Sequence, residues 1–203
     1  MKENQAVIET RIVVSDDGHN TYRLTKRLGG VEGDSAYIIS LYPTRSEDNI
    51  FANDSTTNHI VSHMQELNIA QLSIINLFSR TVTSQRGLTV DEKNMEYIEG
   101  LMQTEEFKSC KFIIAWGNSM QNSQTVAESK VRILNMFLKH CPKNKLYQLT
   151  TLDGRVDSTI TPHPLFLGIR ASDSVWGLQE FKIKKPSQAV TTKSKAPSTL
   201  KKS

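Results

Sequence analysis

Cysteine is scarce: Cys110 and Cys141 are the only two in 203 residues, and they form no Cys-x-x-Cys pair. That excludes a disulfide framework and a cysteine-rich zinc module, and it fits two structural thiols in a reducing compartment. Long apolar runs are missing too. None approaches the roughly 18 residues of a membrane span, and Met1-Lys2-Glu3-Asn4-Gln5 is followed by no apolar core of a signal peptide. A cytoplasmic protein without a membrane partner is expected. Of the five histidines, only His59 and His63 stand four apart on a predicted helix. They lack both the glutamate of a His-Glu-x-x-His pattern and a third ligand, so surface histidines are expected there and no metal. A P-loop and a Gly-x-Ser-x-Gly elbow are absent. Gly29-Gly30-x-x-Gly33 lacks the strand–turn–helix setting of a dinucleotide fingerprint, so no cofactor is expected.

What is present is an ordinary globular composition, 37% hydrophobic and 23% charged, in a chain of one-domain length. The net charge of +4 is unevenly spread. Residues 182–203 hold seven lysines and no acid, so the body, 1–181, is net acidic at −3. The tail is rich in Ser, Thr, Pro and Lys and cannot bury enough apolar surface to order itself. It reads as a disordered segment, either simply solvated or able to hold nucleic acid loosely through its phosphates.

Residues 6–14 and 21–25 are β-branched stretches around Asp16-Asp17-Gly18-His19-Asn20, which predicts a hairpin. Further on, apolar runs end at polar or Pro-rich turns: Ala36–Pro43, Leu72–Arg80, Phe112–Gly117 and Leu146–Pro164. Helical patterns lie between them. Asp54-Ser55-Thr56-Thr57 offers N-caps for Ile60, Met64 and Leu67; acidic Asp91-Glu92 opens Met95, Ile98, Leu101 and Met102; Ala127, Val131, Leu134 and Leu138 form a third face. Strand–helix alternation predicts βαβ units. The expected fold is a three-layer α/β/α domain over 1–181, with a mainly parallel four-stranded central sheet and an N-terminal β-hairpin. The polar connection 80–93 reads as a mobile loop over the edge where the strands end.

In open α/β sheets ligands bind outside the carboxyl ends of the strands, so the turns there hold the candidate residues. Asn76 ends a strand with a side chain able to read a base edge or to cap the strand. Arg80 can meet phosphate or carboxylate, or be a solvated turn residue. Trp116-Gly117 is a ligand wall or a core aromatic with a Gly-permitted turn. In Pro162-His163-Pro164 two prolines restrict the backbone around one imidazole. Tyr42 closes the first run, and Glu47, Asp48 and Asp54 follow it as the acidic candidates.

Tyr22-Arg23-Leu24, Leu41-x-Pro43-Thr44, Asp54-x-Thr56, Asn76-Leu77-Phe78-x-Arg80, Ala115-Trp116-Gly117, Asp153-Gly154 and His163-Pro164-Leu165 occur in that order. The succession resembles the bacterial and phage proteins of domain-of-unknown-function family 1643, over about residues 20–169. Tyr42 departs from it, since that turn typically reads Leu-Asn-Pro-Ser. Tyr42-Pro43, Asn76, Trp116-Gly117 and His163-Pro164 are also similar, more distantly, to the four landmarks of uracil-DNA glycosylases. This second resemblance implies a glycosylase-like fold in which Asn76 reads a base and His163 stabilises the departing base anion. Tyr42 cannot do what Asp or Asn does in the first turn, which leaves Glu47, Asp48 or Asp54 to supply the base. The His turn also lacks the second half of the wedge those enzymes drive into the minor groove.

The resulting expectation is a protein that recognises a nucleobase or nucleotide. As an enzyme it would be a hydrolase using His163 with Asp54 or Asp48, and binding through Tyr42, Asn76, Arg80 and Trp116. The rival is a non-catalytic nucleic-acid or protein binding module. Oligomeric state is not legible.

Overall fold

Short β-branched and apolar runs, bounded by turn formers, make the centre of the computed structural model, which describes residues 3, 5–43, 53–156 and 161–183. These runs are β3 (Asp34–Ser40), β4 (Ile69–Asn76), β5 (Lys111–Ile114) and β6 (Leu146–Thr151). They pair in parallel in the order β4-β3-β5-β6. Their residues are buried on both faces, which is why they read as continuous apolar stretches.

The sheet is larger than four strands. β1 (Ile8–Val14) and β2 (Thr21–Leu28) form the N-terminal hairpin, and β2 continues the sheet by pairing antiparallel with β4. At the far side β7 (Trp176–Glu180) pairs antiparallel with β6. Among the described residues the result is one seven-stranded sheet, β1-β2-β4-β3-β5-β6-β7, so the four-stranded expectation is corrected. The cause is the outer edges of β4 and β6. Each exposes a row of unpaired backbone groups, which the hairpin and the last strand satisfy.

Among the described residues, five helices cover the two faces. α1 (Ser55–Ser62) and α5 (Pro164–Arg170) lie on one side, where Ile60 and Leu167 meet Ile38, Leu72 and Ile113. α2 (Glu92–Gln103), α3 (Glu105–Ser109) and α4 (Gln124–His140) lie on the other, where Met95, Phe107 and Phe137 meet Tyr37, Ile75 and Phe112. The step from β3 to β4 uses the first face. The return past β3 to β5, and the step to β6, use the second. Opposite directions on opposite faces keep one crossover hand throughout.

The third helical pattern needs correction. α4 buries Val126, Ile133, Met136 and Phe137, while Val131 and Leu138 are more than half exposed. The helix carries two apolar stripes, and the one with the two largest side chains wins the core. His59 and His63 are not free surface residues either. A Cβ on Gly168 would run into the His59 ring, so that ring fills the close approach of α1 and α5. His63 stacks on Trp176 with centroids 4.0 Å apart and shares Glu66 Oε2 with the Trp176 amide.

Candidate functional site

The four parallel strands end along one edge. Ser40 of β3 stands in register with Asn76 of β4, and Ile39 with Ile114 of β5. The chain leaves β3 toward β4 on one side and later returns to β5 on the other. The strand order therefore reverses between β3 and β5, and in open α/β sheets that is where a ligand crevice forms.

His163 closes this edge on the α1/α5 face. It is the N-cap of α5, and its Nδ1 accepts the backbone N–H of Leu165 at 3.2 Å. Pro164 at N1 suits the helix start because its missing N–H has no intrahelical role there. With Nδ1 occupied as an acceptor, the neutral ring carries its proton on Nε2, which makes no hydrogen bond within the described residues. Burial pushes the imidazole below its ordinary value of 6.5 and favours that neutral form, while the nearby Asp54 carboxylate pulls the other way.

Gly117 makes this approach possible. It turns the chain after β5 with φ at +66°, and a Cβ there would lie 2.9 Å from His163 Cβ. His163, Gly117, Asn118, Ser119, Thr161 and the 43%-exposed Phe166 line a cavity of about 340 Å³. Asp54 is brought to the same edge as the N-cap of α1, its Oδ1 accepting Thr57 N–H at 2.6 Å.

The other candidates separate. Asn76 is 6% exposed and on the α1/α5 face, alternating with the oppositely packed Ile75 and Leu77, yet it does not line the His163 cavity. Trp116 and Tyr42 pack into the cluster on the α2/α4 face. Lys130 Nζ lies 5.4 Å over the Trp116 ring and donates to the Gly117 carbonyl at 3.2 Å, and burial pushes this amine's pKa down. Trp116 thus supports the turn from behind rather than lining it. Arg80 belongs elsewhere: with Asn20, Phe78, Asp91 and Lys93 it borders a separate cavity of about 330 Å³ within the loop 80–93 region. Asp48 and Glu47 lie outside the described residues. Among those described, no cluster of three or more His, Cys, Asp or Glu could hold a metal.

Two positioning residues had no sequence signal. Asn94, fully buried at the start of α2, donates its amide to the carbonyls of Asn76 at 2.8 Å and Leu77 at 3.1 Å, fixing the end of β4. Ser79 ties the next residues to Asp91 Oδ2, 2.8 Å from its amide and 2.7 Å from its hydroxyl. Phe166 was signalled only by its place one turn into the helix that His163 opens. The Asp153-Gly154 pair forms a turn outside the cavity. Asp153 accepts from Ser174 Oγ at 2.7 Å, and this bond leads the contacts that hold its carboxyl down to about 2.

No curated protein and no solved structure matches the chain. A family model described as protein of unknown function (DUF1643) matches residues 21–165, from the first residue of β2 to the first turn of α5. With most of its length matched, the chain belongs to the DUF1643 family.

Proposed function

We propose that the carboxyl edge of the sheet receives a nucleobase or nucleotide and that the protein is a glycosylase-like hydrolase acting on a modified base. One observation carries this reading: His163 is held neutral with Nδ1 engaged, which leaves Nε2–H as a free donor at a cavity of about 340 Å³. That volume lies in the range of small-ligand sites. A buried neutral imidazole suits developing negative charge on an oxygen or nitrogen, because it donates without giving up its proton.

In this reading the Asp54 carboxylate orients a water and takes its proton as the water oxygen bonds to the sugar C1′. The C1′–N bond breaks and its electron pair leaves with the base. His163 Nε2–H stabilises the resulting base anion, while the exposed Phe166 ring offers a stacking wall and Asn76 a base-reading amide. The architecture is then similar to that of uracil-DNA glycosylases.

The rival reading is a binding module for nucleic acid or protein that lacks turnover. Tyr42 favours it, being packed toward the α2/α4 core where the first turn of an N-glycosidase needs a water-positioning Asp or Asn. The deciding experiment screens the wild type for base release from uracil-containing and modified-base DNA, and for hydrolysis of free nucleosides and nucleotides. Turnover that falls about 10²–10³-fold in kcat in His163→Ala, with KM little changed, supports the hydrolase. Tight nucleic-acid or protein binding that survives His163→Ala, with no turnover on any substrate, supports the module.

A further inference from the structure

Among the described residues, four buried side-chain atoms have no hydrogen-bond partner: Ser40 Oγ, Asn53 Oδ1, Asn94 Oδ1 and Trp176 Nε1. Trp176 stands apart from β3 and β4, stacked on His63 and paired with Thr151 at the end of β6. The other three sit at or next to the carboxyl ends of β3 and β4. Ser40 is the last residue of β3, Asn53 immediately precedes the cap of α1, and Asn94 holds the carbonyl of Asn76.

Ser40 and Asn76 are direct partners in the parallel ladder. Both lie on the α1/α5 face, since their neighbours Ile39, Leu41, Ile75 and Leu77 all pack into the opposite cluster. They are 3% and 6% exposed, and the Ser40 hydroxyl is left without a hydrogen-bond partner. A buried polar atom left unpaired works against stability, so folded proteins keep few, and those kept call for a partner. Here a hydroxyl and a carboxamide stand side by side at the carboxyl ends of β3 and β4. Together they carry three donor hydrogens and two acceptor oxygens.

We propose that Ser40 is a recognition residue and that its hydroxyl, with the Asn76 carboxamide, receives the edge of a planar heterocycle bearing a donor and an acceptor on neighbouring atoms. This rests on the nucleobase reading above and adds a residue that reads the base. Ser40 and Asn76 stand on the same sheet edge that His163 closes.

The test uses the full chain and two readouts. The first is the melting temperature without ligand. Ser40→Ala removes an unpaired hydroxyl and should leave it unchanged or raise it by about 2–4 °C. The second is affinity by calorimetry for uracil, cytosine, adenine and hypoxanthine, and for their nucleosides and mononucleotides. For whichever member the wild type binds, Ser40→Ala should weaken affinity about 3- to 10-fold, as expected for one neutral hydrogen bond. Asn76→Ala should weaken it further, and Ser40→Thr, which keeps the hydroxyl, should bind within about twofold of the wild type. A fall in melting temperature on Ser40→Ala would show a structural hydroxyl and overturn the proposal alone, as would unchanged affinity. If the wild type binds no member of the panel, the nucleobase reading falls and this inference with it.

Discussion

The two ring nitrogens of His163 stand in different settings. Nδ1 caps α5, and Nε2 makes no hydrogen bond within the described residues. Because burial depresses its pKa, the unfolded chain takes up a proton as pH falls through about 6.5 while the folded chain resists it. Stability should therefore decline from pH 6.5 downward, until the folded ring also protonates. His163→Gln should flatten that part of a stability–pH curve measured by denaturant melts. Asn94 is the second sensitive residue. Asn94→Leu would release the carbonyls of Asn76 and Leu77 in a buried setting and should cost about 1–3 kcal/mol, read by urea unfolding. The role of Asn94 is not visible in sequence. An asparagine at the start of an amphipathic helix looks like any polar first-turn residue, and its two acceptors are 17 and 18 positions away. The strand-end position of Asn76 was readable, because an apolar run stopped there. The unpaired hydroxyl of Ser40 beside it was not.

At the scale of elements, the turns after the strands were legible for a simple reason: a strand buried on both faces has to stop where its apolar run stops. Which face each terminal side chain takes is decided by alternation counted from the core, and a single residue changes the answer. Trp116 follows Ile114 by two and so joins the α2/α4 cluster, while Gly117 opens toward His163. Gly117→Ala should thus be costly twice over, through its left-handed φ and through the clash with His163. A loss above about 1 kcal/mol together with disturbed His163 titration, followed by NMR, is expected. α4 shows the same limit, since two stripes of similar hydropathy competed and packing chose between them. Ile133→Ala should cost about 2–5 kcal/mol, whereas Val131→Lys should cost no more than about 0.5 kcal/mol in the same unfolding assay.

For the molecule as a whole, the parallel centre and its flanking helices follow from strand–helix alternation. The full width of the sheet does not. A hairpin read in isolation gives no sign of the strand it will join, and Trp176–Glu180 is too short and too polar at its end to stand out. The pairing of β2 with β4 spans about 50 residues of chain, and such nonlocal contacts leave no local trace in sequence.

The two outer strands differ in what they shield. Without β1, the strand left bare would be β2, which carries Arg23, Lys26 and Arg27; charges of this kind discourage edge-to-edge association. Without β7, the bare strand would be β6, Leu146-Tyr147-Gln148-Leu149-Thr150-Thr151, a six-residue β-prone segment with no charge at all. The last strand therefore acts as the chain's guard against self-association. A chain ending at residue 171 should form oligomers or aggregates by size exclusion and light scattering, and one beginning at residue 20 should do so far less.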